Sequence, residues 1–222
     1  MRRWAVMEMI RAVEFDTFAW DLTQDDVDRR MWTSTDGTLM ERFFDIPPDF
    51  GYWDADKIRR DVIETQGYLR SPTFTRDSLP EMMQRQIPAE LPQQATLLDV
   101  EIFEVHPAKG VLVTSRVRTN DAVHYFAVMM LLFAECFWVF TIDLQESGEV
   151  GQREGEVARI ALDTPVDGAE LPEFDPYERK WDGIVPLEAD PLARLRILAA
   201  SLVDSFALGE AVTGLRPFEP SA

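Results

Sequence analysis

Residues 123–144 read VHYFAVMMLLFAECFWVFTIDL, and this stretch decides the fold. It holds two runs rich in β-branched and aromatic residues, Ala122–Phe133 and Cys136–Leu144, which are typical of β-strands. Because only Ala134 and Glu135 separate the runs, the two strands must be antiparallel neighbours. A turn of this length pairs Leu131 with Trp138 and Met129 with Phe140. The stretch therefore predicts a β-hairpin inside an antiparallel sheet.

The sheet extends toward the N-terminus from this hairpin. Two more strands are predicted at Leu97–His106 and Gly110–Arg118, separated by a turn at residues 107–109. A second turn, at Asn120 and Asp121, pairs Arg116 with Tyr125. The four strands predict an antiparallel meander.

The N-terminal third predicts a hairpin followed by helices. Its extended segments are Thr17–Leu22, Arg29–Ser34 and Thr38–Ile46, with a turn at residues 35–37. Asp54 is a candidate N-cap for a helix whose apolar face carries Ile58, Val62 and Leu69, and Ser78 with Glu81 fits the capping box of a short second helix.

The C-terminal part predicts a helix at Gln152–Leu162, then an acidic, proline-rich segment, then a final helix. Asp190 is the candidate N-cap of that last helix and Pro191 its first residue, with Gly209 placed to end it. Its apolar stripe consists of Leu192, Leu195, Ala199, Leu202, Val203 and Phe206. We predict an α+β sheet domain at 1–164, a strap at 165–188, and a C-terminal helix and tail at 189–222 that pack on the same domain.

The strand registers separate two faces of the sheet. One face is almost wholly apolar and is predicted to be the core face; it carries Val100, Ile102, Val113, Val117, Phe126, Val128, Met130, Leu132, Phe137 and Val139. The other face is divided between charged residues, Asp99, Glu101, Arg116 and Arg118, and apolar ones, Tyr125, Met129, Leu131, Trp138, Phe140 and Ile142.

Two interpretations of the divided face stay open. In the first, the C-terminal helix covers the apolar patch, and Asp99–Arg118 and Glu101–Arg116 are ordinary cross-strand pairs. In the second, the face recognises a peptide, a helix or a small apolar ligand. The candidate binding residues are then Arg116, Tyr125, Met129, Leu131, Trp138 and Phe140.

Charge and composition exclude several classes of partner. The 222 residues include 40 acidic and 22 basic side chains, for a net charge of -18, which repels nucleic acid and anionic membrane surfaces. The most apolar run, 126–140, is shorter than the roughly 20 residues that span a bilayer and contains Glu135. A single cysteine, Cys136, permits no intrachain disulfide, and we predict a cytoplasmic protein.

No motif in the sequence points to a catalytic centre. The only two histidines, His106 and His124, fall at opposite ends of one predicted strand, so that no nitrogen and sulfur metal site is expected. A glycine-rich phosphate loop and a nucleophile elbow are also missing from the sequence. We therefore predict that the protein is not an enzyme and holds no cofactor and no metal.

Three apolar segments carry a resemblance to a known superfamily: VLVTS at 111–115, YFAVM at 125–129 and FWVFTI at 137–142. Together with the order hairpin, helix, meander and helix over 17–164, they are similar to the central sheet of the Mog1/PsbP/DcrB-like superfamily. That superfamily includes a GTPase-binding protein, a photosystem subunit and chaperones for secreted effectors. The resemblance implies this α+β fold and a protein-binding module, and the extension from 165 to 222 departs from the smaller members.

The leading hypothesis is a non-enzymatic protein-binding or chaperone-like module that uses one sheet face, gated by the C-terminal helix. Its partner is predicted to be a protein or peptide, and the sequence leaves the oligomeric state open. The alternative is a small-ligand-binding protein, or an enzyme without a familiar motif, with its site between the sheet and the strap.

Overall fold

The fold is built around one antiparallel sheet of seven strands, seen in a computed structural model of the chain. The structure describes residues 3–35, 37–48, 51–61, 95–119, 122–146, 151–163, 175–184, 186–187 and 190–220. The sheet contains strands β2 (Asp21–Asp25), β3 (Arg29–Thr33), β4 (Gly37–Phe44), β5 (Ala95–Val105), β6 (Ala108–Arg118), β7 (Val123–Leu132) and β8 (Phe137–Gln145). Their order is β2-β3-β4-β8-β7-β6-β5.

Two short strands and five helices surround this sheet in the described residues. Strand β1 (Val13–Glu14) pairs with β9 (Ala207–Leu208) and so joins the two ends of the chain. The helices are α1 (Arg3–Ile10), α2 (55–61, as far as it is described), α3 (Gln152–Asp163), α4 (Pro191–Ser205) and α5 (Glu210–Thr213), with one 3₁₀ turn at Arg179–Trp181. The predicted α+β class, with an antiparallel meander, an N-terminal hairpin and flanking helices, is confirmed.

The meander β6–β7–β8 has the predicted register. Met129 lies opposite Phe140 and Leu131 opposite Trp138, while Arg116 lies opposite Tyr125. Turn length fixes these pairs, because each extra turn residue would shift the pairing. His106 precedes β6 and His124 of β7 lies opposite Val117, so that the two histidines lie at opposite ends of β6, as expected.

The predicted ion pairs between β5 and β6 are wrong. The turn between β5 and β6 consists of His106 and Pro107, so that Val105 pairs with Ala108. The predicted turn was one residue longer and covered residues 107–109. Asp99 and Glu101 therefore face Thr114 and Leu112 and do not face arginines. Their ion-pair partners are Arg59 and Arg179, which come from outside the sheet.

The first strand of the sheet starts later than predicted. Phe18 and Ala19 have φ values of 55° and 56°, a left-handed turn conformation that interrupts the extended segment expected at Thr17–Leu22. The strand instead covers Asp21–Asp25. Arg29–Thr33 and Gly37–Phe44 agree with the predicted hairpin within a few residues.

The helix predictions hold where the structure describes them. The Lys57 amide donates to Asp54 Oδ1 at 2.9 Å, which is the expected N-cap, and Ile58 is buried. Val62, Leu69 and the predicted helix near Ser78 lie outside the described residues. Helix α4 ends at Ser205, before the predicted Gly209, and α1 was not predicted.

The main core lies on the face that the sequence left divided. Helix α4 packs on β7 and β8 there, and its Leu192, Leu195, Ala199 and Leu202 share one apolar cluster with Met129, Leu131, Trp138 and Phe140. On the face predicted as core, Val100 and Val111 form a smaller buried cluster with Ile58 of α2, and most of the other apolar residues of this face are only partly buried. The alternation of side chains along the strands identifies two faces with apolar residues, but it does not show which face the helices cover.

The division into 1–164, 165–188 and 189–222 stays a prediction. No helix among the described residues is both long and apolar enough to cross a bilayer.

Candidate functional site

The six predicted binding residues lie on one sheet face, but five of them are fully buried. Tyr125, Met129, Leu131, Trp138 and Phe140 each have 0% exposure. Helix α4 covers them together with aromatic residues from both ends of the chain. The ring centre of Phe140 lies 4.7 Å from that of Phe206 and 5.1 Å from that of Phe15. The role of these residues in binding a partner stays a prediction, and it requires α4 to move.

Arg116, the sixth residue, belongs to a polar network at the edge of the core. Its Nη1 donates to Glu154 Oε1 at 3.0 Å, and its guanidinium lies 4.9 Å from the centre of the Tyr177 ring. Tyr177 Oη donates to the same Glu154 oxygen at 2.6 Å. Because Glu154 begins α3 and Tyr177 lies in the strap, Arg116 ties both elements to the sheet.

Tyr125 lies next to this network, and its hydroxyl is buried without a hydrogen-bond partner. Burial raises the pKa of Tyr125 above its ordinary value, and the carboxylates of Glu154 and Glu146 add to the effect. The second oxygen of Glu154, Oε2, is also buried without a partner. A protonated donor and an unoccupied acceptor therefore lie at the boundary between sheet and strap.

Arg153 anchors the strap. It is 1% exposed and donates to Asp190, Asp182 and the carbonyl of Pro176. Arg196 of α4 also donates to Asp182, at 2.7 Å. No sequence pattern beyond the Asp190 N-cap indicated this network, because long-range pairing of charges depends on the tertiary fold.

The opposite side of the sheet carries a row of partly buried apolar side chains, which we call the methionine face. It consists of Met31, Met40, Phe44, Phe126, Val128, Met130 and Val139. Met31 lies opposite Met40, and Val139 opposite Met130, while Arg42 and Thr141 lie between these two pairs on β4 and β8. Sequence reasoning found four of the seven but assigned them to the core face.

Charged residues lie within the methionine face and beside it. Arg29 and Arg42 lie opposite each other on β3 and β4, and Arg42 lies between Met40 and Phe44. Beside the face on β7 and β8, His124 Nδ1 lies 3.0 Å from Asp143 Oδ1, and burial raises the pKa of Asp143 despite the histidine. Among the described residues, no group of three or more His, Cys, Asp or Glu side chains is arranged to hold a metal ion.

Several solved structures are distantly similar to the chain. No protein family and no curated protein sequence matches the chain. The chain is similar to the Ran-binding protein Mog1p of Saccharomyces cerevisiae, with 8% identity and a TM-score of 0.40 over 89% of this chain and 86% of that one. It is also similar to PA94 of Pseudomonas aeruginosa, a protein of unknown function and putative regulator, with 9% identity and a TM-score of 0.33 over 67% and 88%.

The identities and TM-scores are too low for either likeness to bear on function. The class that fold and surfaces define is an α+β protein with a seven-stranded antiparallel sheet, one face of which is covered by helices while the other carries partly buried apolar side chains.

Proposed function

We propose that the protein is a non-enzymatic protein-binding module and that its partner binds the methionine face. The observation that carries this proposal is the presence of seven partly buried apolar side chains on one face of four adjacent strands. Apolar side chains gathered on one face are costly to leave in water and are typical of interaction sites. The partner is a polypeptide, because an apolar sheet face is normally covered by another secondary structure element.

Methionine side chains suit such a role. Met31, Met40 and Met130 are unbranched and polarisable, so that they adapt to partners of different shape at little cost. The stacked rings of Phe44 and Phe137, whose centres lie 4.6 Å apart, give the same face one rigid border. An adaptable centre with a fixed edge supports a module of the chaperone or adaptor type.

The gated form of the hypothesis is a further proposal. In it, α4 leaves the sheet and a partner takes its place on Tyr125, Met129, Leu131, Trp138 and Phe140, with Arg116 at the margin. The close packing of α4 on these residues makes this the more costly mode of binding. A cytoplasmic location and the exclusion of nucleic acid and membrane partners stay predictions from the sequence.

Site-specific photocrosslinking tests the methionine face. A photoreactive phenylalanine analogue replaces Val128, between Phe126 and Met130 on β7, and in a matched variant it replaces Ile197, a 53% exposed apolar residue of α4. Adducts with a specific protein in native lysate are expected from position 128 only, and Met130→Asp should abolish them. The captured protein is then purified and must protect β7 and β8 from hydrogen exchange. Equal crosslinking from both positions would refute the proposal.

One observation favours the alternative function, a small-ligand site. Tyr125 Oη and Glu154 Oε2 are buried donor and acceptor atoms without partners, and such atoms normally bind water or a ligand. Native mass spectrometry of the purified protein tests this alternative. A retained small molecule that is lost in Tyr125→Phe would support it, and identical spectra for both proteins would count against it.

A further inference from the structure

Two arginines lie side by side within the methionine face, next to Met31 and Met40. Arg29 and Arg42 are directly opposite on β3 and β4, and the next outward pair along the same strands is Met31 with Met40. Successive outward residues on a strand are about 6.6 Å apart, so the positive charges lie one short step from the methionines. Charge and apolar surface are therefore presented together.

Neither arginine has a strong ion pair within the described part of the chain. The guanidinium of Arg42 lies 5.0 Å from the centre of the Phe44 ring, its Nε is buried without an acceptor, and no described carboxylate pairs with it. Arg29 has a single contact with Asp26 at 3.5 Å, and the two side chains are 41% and 53% exposed. Such a contact contributes little.

This local charge contrasts with the rest of the protein. The chain has a net charge of -18, and like charges opposite each other in a sheet are destabilising. A carboxylate placed between the two guanidinium groups would relieve their repulsion. A long polyanion would instead be repelled by the whole chain, so the charge favours a short segment with one or two acidic residues.

We propose that the part of the methionine face formed by the arginine pair and the adjacent Met31 and Met40 binds an amphipathic helix of a partner protein, one that carries Asp or Glu one turn away from its apolar stripe. Residues three or four apart on a helix are about 5–6 Å apart, which matches the step from the arginine pair to the methionine pair. The apolar stripe then lies over Met31 and Met40, and the acidic side chain binds Arg29 and Arg42. This inference rests on the proposed function, because it names the partner of the same face.

A pair of labelled peptides tests the inference by fluorescence anisotropy. Both are amphipathic helices of about 18 residues, long enough to form in solution, and they differ only in Glu or Gln one turn from the leucine stripe. The Glu peptide is expected to bind the full chain about fivefold tighter than the Gln peptide, a difference that corresponds to one good charge pair. Added salt should reduce this difference.

Three variants locate the effect. Arg42→Gln and the more exposed Arg29→Gln should each reduce the preference for Glu, while Arg118→Gln, on an exposed arginine of the opposite face, should leave it intact. Unchanged melting temperatures show that the fold is kept. Equal affinity for the two peptides, no binding of either, or a preference that survives both variants would overturn the inference. The proposed function fails separately, if crosslinking from position 128 finds no partner.

Discussion

The carboxylate of Asp190 binds Arg153 with one oxygen and caps helix α4 with the other. Oδ2 accepts from Arg153 Nη1, and Oδ1 accepts from the Ala193 amide at 3.0 Å. The two side chains are 0% and 1% exposed. One buried ion pair therefore links the start of α4 to α3 and, through the other contacts of Arg153, to the strap.

Removal of Arg153 should strongly destabilise the protein. Arg153→Met leaves the buried carboxylate of Asp190 without its countercharge, which costs about 3–5 kcal/mol of unfolding free energy. Urea unfolding followed by tryptophan fluorescence measures the loss. Arg159→Met is the matched control, because Arg159 belongs to the same helix but is 62% exposed, and its loss should stay within about 0.5 kcal/mol. Similar losses of unfolding free energy in both variants would show that the buried ion pair stabilises the protein no more than an exposed arginine does.

Because of Glu41, the free energy of unfolding should decrease as the pH rises from weakly acidic to weakly basic. This residue is 0% exposed and accepts from Arg30 Nε at 2.6 Å, yet burial raises its pKa from 4.5 to about 8. The raised pKa means that the folded state holds a proton which the unfolded state releases. The resulting stability is complete below pH 4.5 and is lost as the pH rises toward 8.

Glu41→Gln isolates this contribution. Relative to the wild type, the variant should become more stable by about 1 kcal/mol for each pH unit across that window. Urea unfolding at several pH values measures the difference, and Glu156→Gln on the exposed side of α3 serves as control. A constant difference between Glu41→Gln and wild type at every pH would contradict the raised pKa.

Truncation before Pro186 should uncover the main core. It removes α4 and leaves Met129, Leu131, Trp138 and Phe140 without their cover. Each large apolar side chain exposed in this way costs about 1.5–3 kcal/mol, so the truncated protein should bind a hydrophobic dye and aggregate. Dye fluorescence and light scattering measure both effects.

Two other results of the truncation would have different meanings. A truncated protein that stays monomeric, keeps its melting temperature and binds no dye would show that α4 is a detachable appendage. A folded truncated protein with new affinity for apolar peptides would support the gated form of the proposed function.

Cys136 should be unreactive in the folded protein. The thiol is 2% exposed, and burial raises its pKa to about 12, so that very little thiolate exists near neutral pH. A thiol reagent at pH 8 should react slowly with the native protein and rapidly after unfolding in urea. Equal rates in both states would show that the β7–β8 turn opens readily.

Local patterns were sufficient to predict the central strands and their pairing. The two-residue turn at Ala134 and Glu135 fixes the partners of Trp138 and Phe140, since pairing in a hairpin follows from turn length. The same logic failed for Asp99, because the β5–β6 turn is one residue shorter than predicted and starts one residue earlier. The irregularity between Leu97 and Asp99 lies beyond Asp99 and shifts only the pairing of Ala95, Thr96 and Leu97.

The choice between the two sheet faces could not be made from the strands alone. Trp138 and Val139 both belong to apolar rows, and only the covering elements decide that the first is buried and the second half-exposed. Those elements, α1 and α4, come from opposite ends of the chain, and their docking depends on contacts such as Arg153 with Asp190. The methionine face was therefore found in the sequence but assigned to the interior.

The position of α4 in the chain affects how the protein is made on the ribosome. The last sheet strand ends at Gln145, whereas α4 is completed only about 60 residues later, which at about 5–20 residues per second takes about 3–12 s of translation. During that interval Trp138 and its neighbours have no cover from α4, and Val13 has no β9 to pair with. The nascent chain thus passes through a stage in which both faces of its sheet have uncovered apolar side chains. Cellular chaperones can bind it during those seconds.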